Sequence, residues 1–380
     1  MNDTLLWLMG LPIAIGVGLW VVLRGKFDNA WMPGLVNGVV GALILCAVFY
    51  GSKGVATSDT EIWNGMITAK ARDHGSYQKP YDCNCRTVTS GSGKNQTTSR
   101  VCDTCYEDHY TVNWNCKSTV GGWTIDSADW TNRGVYALPN PQRWSSINIG
   151  DPAAKQHGYT NYVQAVPESL FKPSSESLRA KFAGITPKYP DGVYDFYRND
   201  HFLSPGYTTP DAAAWNLDLA NMLRELGPKK QVNAIVVVAK TADPNYEYAL
   251  RDAWEGANKN DVVVVIGSAE WPKIDFVRVI SWTKNELFKV QLRDSIQELG
   301  TIQRAPILSA LQEQIGKNFE RRHMAEFKYL ETEIDPPTWL MITTVIVLVL
   351  GGLGTWAALT GVFEKRRTIG GRYTRSMGPN

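Results

Sequence analysis

Three stretches of this 380-residue chain carry no charge over a bilayer-spanning length: Leu5 to Leu23, Trp31 to Gly51 and Trp339 to Phe363. Each is close to the roughly 20 residues that a transmembrane helix needs. The third contains MITTVIVLVLGGLGTWAALTGVF, which has no polar face and therefore reads as a spanning helix rather than a core helix. The first does not read as a cleaved signal. MNDT is not basic, no small-x-small site follows, and Arg24 and Lys26 come after the apolar run.

Basic residues set an expected orientation. Arg24 and Lys26 fall in the short turn between the first two spans, and Lys365, Arg366, Arg367, Arg372 and Arg375 follow the third. By the positive-inside rule both segments are cytoplasmic, which places the N-terminus and residues 52–337 outside. Trp31, Trp339 and Trp356 near span ends suit interfacial anchors. Asn37 is the one strongly polar residue within a span, and no ionisable side chain lies in any of them. An ion path usually needs such groups, so transport is not the expected role. Gly34 and Gly38 form a GxxxG, and Gly351, Gly352 and Gly354 cluster in the third span. Small residues there allow close packing between these helices or with a second copy.

The region between the spans changes character near residue 205. Residues 52–205 are rich in Tyr, Trp, Ser, Thr, Asn, Gly and Pro, which suits short strands and long loops. From 206 to 335 helical and strand patterns alternate. PDAAAWNLDLANMLRELG has helical spacing with Pro210 and Asp211 at its start, and it stops at Gly227. VNAIVVVA (232–239) and DVVVVIG (261–267) are short apolar runs of buried-strand type separated by the helical YEYALRDAWEGAN. That order predicts parallel strands joined by a right-handed crossover. FVRVISW (276–282) alternates and is expected to pair antiparallel, with helices at about 285–298 and 306–330 completing the module.

The sequence of QVNAIVVVA, a helix, NDVVVVIG and IDFVRVISW resembles the TPM domain, an α/β fold of extracytoplasmic membrane faces. Ser281, Trp282 and Thr283 stand where that family usually carries Gly-Tyr-Gly. The resemblance implies either an adaptor or a calcium-binding or phosphatase role. A metal-dependent phosphatase would lean on Asp243, Asp252, Glu255, Asp261 and Asp275, provided they converge at one end of the sheet. No Gly-rich phosphate loop, GxSxG or HExxH is present.

Between Tyr81 and Tyr110 the chain reads YDCNCRTVTSGSGKNQTTSRVCDTCYEDHY. RTVT and TTSRV flank SGSGKN, so a hairpin is expected between Cys85 and Cys102, bringing Cys83 near Cys105. Two chemistries fit. Cys83, Cys85, Cys102 and Cys105 can surround zinc as four thiolates, or pair as Cys85 with Cys102 and Cys83 with Cys105 in two disulfides. Cys116 and Cys46 stand outside the set, and His109 is a substitute ligand. The C-x-x-C does not follow a strand at a helix N-terminus, so a thioredoxin-type redox role is not expected.

The stretch after the cassette, dense in Trp, Tyr and Asn, fits either a contact surface or the core of a small β module. His157 and His201 lack neighbouring ligands at metal spacing and read as structural, and Asn95-Gln96-Thr97 matches an N-glycosylation sequon. CNCR, CDTCYEDHY and TNYVQAVPESLF between such spans look like membrane proteins of large tailed phages and some bacteria, which implies an envelope or virion role.

The expected fold class is membrane-anchored α+β with three transmembrane helices, a Cys-containing β-rich module and a TPM-like α/β module. The divisions are a helical hairpin (1–51), the Cys-hairpin and aromatic module (52–205), the α/β module (206–335), a last span (336–363) and a basic cytoplasmic tail (364–380). The expected job is a scaffold or adaptor that contacts membrane lipid and either protein partners or further copies of itself. The formal net charge of +2 is too small to indicate nucleic acid.

Overall fold

The computed structural model describes residues 10, 12–18, 20–21, 31–91, 97–166, 176–190, 193 and 200–359. The fold is mixed α+β with two four-stranded sheets. The chain divides into two compact units. One holds Met1–Asp59, Tyr159–Leu170 and His323–Asn380, and the other holds Thr60–Gly158 and Phe171–Arg322.

In the first unit, α1 (Trp31–Ala56) contains one helix long and apolar enough to cross a membrane, Leu35–Ala56, and a second such helix is Thr338–Thr355. Of the expected first span, Leu5 to Leu23, residues 12–18 are helical and much of the rest lies outside the described residues. Leu45 and Phe49 pack with Met341, and small residues bring backbones together. An added Cβ at Gly41 would lie 2.8 Å from Pro12 Cβ, and one at Gly352 would lie 2.9 Å from Ile15 Cγ2. The glycines thus serve packing among these helices. Lys53 Nζ donates to Glu331 O at 3.1 Å, and Asp59 Oδ2 accepts from Tyr159 OH (2.6 Å) and Asn161 Nδ2 (2.9 Å).

The second unit carries both sheets. In the first, β1 (Ser58–Ser90), β2 (Thr97–Ser118), β3 (Gly121–Trp130) and β4 (Pro152–Thr160) are arranged β3-β2-β1-β4. The hairpin is far longer than the Cys85 to Cys102 segment expected: β1 and β2 pair antiparallel from Ile67↔Ser118 to Ser90↔Thr97. Its wide end has a small aromatic core. Val112, Trp114 and Val135 are buried with Tyr136, Leu138 and Trp144 packed against them. Arg72 Nη2 donates to Tyr136 O (2.7 Å) and Leu138 O (2.9 Å) while lying over Trp114, and Lys70 lies 4.2 Å from the Trp144 ring centre. Trp114 and Trp144 therefore fill the module rather than facing a partner. His157 stacks on Trp63 and bonds Val120 O, which makes it structural.

The second sheet is ordered β5-β6-β7-β8, comprising β5 (Phe202–Leu203), β6 (Asn233–Ala239), β7 (Asp261–Gly267) and β8 (Phe276–Ser281). β6 and β7 are parallel, Asn233↔Asp261 through Ala239↔Gly267, and β8 is antiparallel to β7. Every residue of β6 and β7 is buried, because helices cover both faces, and this is why the runs read as continuously apolar. Ala234, Val236 and Val238 face a core with α3 (Ala212–Lys230), α5 (Glu286–Gln297) and α6 (Arg304–Asn318). Ile235, Val237 and Ala239 face the side of α2 (Glu176–Phe182) and α4 (Tyr246–Ala253). The last helix, expected at 306–330, ends at Asn318. Phe319 is 1% exposed and Arg321 forms a bridge with Thr283, so tertiary contacts pull the chain extended before a 3-10 segment, Met324–Glu333. The last helix among the described residues is α7 (Thr338–Leu359).

Candidate functional site

Beyond the reach of β3, which pairs with β2 only from Tyr110 to Ser118, β1 and β2 continue as a two-stranded ribbon. Its strands are Ser76–Ser90 and the part of β2 from Thr97 to Tyr110. A two-stranded ribbon has no second layer to bury a face and is marginal in water by itself. Two devices hold this one. Where it leaves the three-stranded region, Asp129 of β3 accepts from Tyr77 OH through Oδ2 at 2.6 Å and contacts His109 Nδ1 through Oδ1 at 2.7 Å. The Tyr77 bond, then the His109 bond, holds the Asp129 carboxyl below its ordinary pKa. His109 is thus committed to a carboxylate and does not join the cysteines.

The second device is covalent. Cys83 is bonded to Cys105 and Cys85 to Cys102, with sequence separations of 22 and 17. Of the two chemistries open for these four sulfurs, the structure shows disulfides; zinc finds no support, since a disulfide offers no thiolate to a metal. Among the described residues no group of three or more His, Cys, Asp or Glu is placed to hold a metal ion. Closing a loop of this size removes about 3 kcal/mol of chain entropy for either bond alone. The register slips between Cys83↔Asp103 and Arg86↔Val101, so Asn84 and Cys85 oppose Cys102 alone. Asn84 takes φ 47° at this bulge, a left-handed conformation Asn tolerates better than most residues. The ribbon leaves Tyr77, Tyr81, Val88, Val101 and Tyr106 exposed, Tyr106 by 62%.

A buried polar cluster lies at the root of β1. Asn64 Nδ2 donates to Val232 O (3.4 Å) and Asn233 Oδ1 (3.0 Å), and Asn260 Nδ2 donates to Ile62 O (2.7 Å). Glu61 Oε1 accepts from Trp63 Nε1 (2.7 Å), is bonded to Arg321 and lies 3.6 Å from Lys259 Nζ. Asp261, fully buried, accepts from Asn233 Nδ2 (2.9 Å), Tyr189 OH (2.8 Å) and the Asn258 amide (2.9 Å). Burial pushes its pKa up to about 6 against those donors. His201, 1% exposed, makes no well-aligned hydrogen bond through either ring nitrogen, and burial lowers its pKa to about 4 against the opposing influence of the neighbouring Asn233 side chain. These groups fix the arm-bearing sheet to the α/β sheet by joining Ile62 and Asn64 of β1 to the N-terminal ends of β6 and β7.

The five carboxylates considered for catalysis do not converge. Asp261 opens β7, while Asp275 follows it, with its amide on Gly267 O and its carboxylate on the Ala269 amide (2.7 Å) and Lys273 (3.1 Å). The length of β7, about 20 Å, separates them. Asp243 is paired with Lys181 (2.5 Å), Asp252 with Arg179 (3.5 Å), and Glu255 sits in a turn at φ 49°. Sequence reasoning missed Glu61, Asn64, Lys259, Asn260 and Arg321, whose partners lie as far as 260 positions away in the chain. No protein-family profile, curated protein or solved structure matches the chain.

Proposed function

We propose that this protein is a membrane-anchored adaptor whose disulfide-stapled arm is its contact element. The observation that carries the reading is the arm itself. Some 15 residues of each strand extend past any supporting layer, stapled twice and lined with exposed tyrosines, a costly object for a chain that uses it for nothing. Anchoring is supported by the two apolar helices, whose membrane-length windows are only 22% and 17% buried. A soluble core helix would be covered. The disulfides suit an oxidising compartment, which agrees with the orientation drawn from Arg24, Lys26 and the basic tail. The TPM-like half then acts as a rigid mount, and its dispersed carboxylates argue for mounting over phosphoester hydrolysis.

The test is a photo-reactive residue placed at Tyr106 on the arm and, as control, at Leu287 on α5, which is 58% exposed. Illuminating native membranes should give a protein adduct from position 106 and none from 287, and the adduct should vanish when all four arm cysteines are changed to Ser. Equal labelling at both sites, or no adduct from positions 81, 88, 101 and 106, overturns the reading.

A further inference from the structure

The charges on the arm are segregated along its length. From Cys85 to Cys102 the sequence holds Arg86, Lys94 and Arg100 and no acidic residue, a tip of +3. The stem, residues 76–84 and 103–110, holds Asp82, Asp103, Glu107 and Asp108 against Lys79 alone, a net −3. Those at described positions are exposed. Along β2, Arg100 and Glu107 are seven residues apart, about 23 Å, more than twice the Debye length of about 8 to 10 Å at physiological salt, whereas Asp103 and Asp82 stand only three and four residues from Arg100 and Arg86, about 10 and 13 Å. Glu107 and Asp108 are therefore screened from the tip of their own arm, and only the charges where tip meets stem partly offset each other. Two arms laid antiparallel, tip against stem, neutralise both ends at once.

We infer that the arm's partner is the arm of a second copy of this chain, paired antiparallel through a two-fold axis. This rests on the adaptor reading above and names its occupant. A two-fold contact must be self-complementary, and a dipolar rod is self-complementary only in the antiparallel sense. The edges are poorly suited to extending the β-ladder, because Pro80 lacks an amide hydrogen and the bulge at Asn84 and Cys85 breaks the register. Contact then runs through the ribbon faces, where Tyr81 and Tyr106 are 51% and 62% exposed. A face about 50 Å long and about 10 Å wide buries on the order of 1,000 Å² in total, at the lower bound for a specific interface. An anionic surface or an acidic partner protein would engage the basic tip but leave the acidic stem unmatched.

The experiment is a charge swap in the full chain, using two differently tagged versions in detergent and scoring cross-capture. Arg86→Glu with Arg100→Glu makes tip and stem both negative, and Glu107→Lys with Asp108→Lys makes both positive. Each reversed chain should lose capture of its own kind by about ten-fold or more, while mixing the two restores capture to near the wild-type level. Thiol counting confirms that both disulfides remain in each variant. Reversed chains that self-associate like wild type, or a mixture that fails to recover, overturn the pairing. Wild-type chains that do not capture one another overturn it too; if the probe at position 106 still labels a different protein, the adaptor reading stands without the self-pairing.

Discussion

Asp261 and His201 oppose each other in their effect on stability, and removing either one should reveal the other. Burial raises the Asp261 carboxyl from 3.8 to about 6. Between those values the native state holds a proton that the unfolded chain has lost, so this group's contribution falls as pH rises, by about 3 kcal/mol in all. Burial lowers His201 from 6.5 to about 4. In that window the unfolded chain holds the extra proton, so this contribution falls as pH drops, by about 3 kcal/mol. From about pH 4 to pH 6 the two slopes nearly cancel. The perturbations are Asp261→Asn, which removes the first slope, and His201→Leu, which removes the second and the ring nitrogens. Unfolding of the detergent-solubilised chain is followed by tryptophan fluorescence in urea at half-unit pH steps, and each variant is compared with wild type at the same pH. That difference removes the background of partly exposed carboxylates such as Asp243 and Asp275, whose pKa values are lowered chiefly by Lys181 and by the Ala269 amide. Relative to wild type, Asp261→Asn should lose about 3 kcal/mol between pH 6 and pH 4, and His201→Leu should lose a similar amount between pH 4 and pH 6. Difference curves that are flat for both variants refute the reasoning. Because the Asn233 side chain bonds Asp261 and also acts on His201, the double variant also reports their coupling.

Glu61→Ala leaves Arg321 and Lys259 buried without their shared carboxylate, and a loss of about 3 to 5 kcal/mol in denaturant stability is expected; a loss under 1 kcal/mol would mean the carboxylate is not what holds them. Gly227→Ala should reverse the usual helix preference. Alanine ordinarily favours a helix interior over glycine by about 1 kcal/mol, yet here its Cβ would stand 2.1 Å from the Asn64 carbonyl oxygen. A melting temperature below wild type, measured calorimetrically, is expected, and a higher one would show that the contact gives way.

The α/β half was legible because its signals are local. VNAIVVVA and DVVVVIG are apolar at every position since both sheet faces are covered, and the helices between them repeat at 3.6 residues. The arm was legible only at its staples. From Arg72 to Pro80 the strand contains Asp, His, Gly, Ser, Gln, Lys and Pro, residues of poor strand preference. A ribbon with two wet faces has no burial period to display. Its conformation is set by its partner strand, by Asp129 and by the disulfides, so a residue-by-residue reading stops at the cysteines while the pairing runs on to Ile67.

The same physics explains why the root was invisible and why it matters. Glu61, Lys259 and Arg321 look like ordinary surface charges in sequence, and the separation of 260 residues between the first and last carries no pattern. Burying three ions is expensive even when they are paired, and apolar side chains would hold two sheets together more strongly. Such a cluster does something apolar contacts do not: it accepts one geometry and penalises its neighbours, because a shift of an ångström or two strands a charge out of water. Placed beneath an arm some tens of ångströms long, this selectivity is multiplied by leverage, since a small rotation at the root becomes a large displacement at the tip. A loosely packed apolar root would let the tip sweep through many orientations, and a tip-to-stem contact between two arms would have to order that motion each time it formed. The charged root and the two staples therefore act alike: both remove freedom from the arm, which is what the proposed pairing requires.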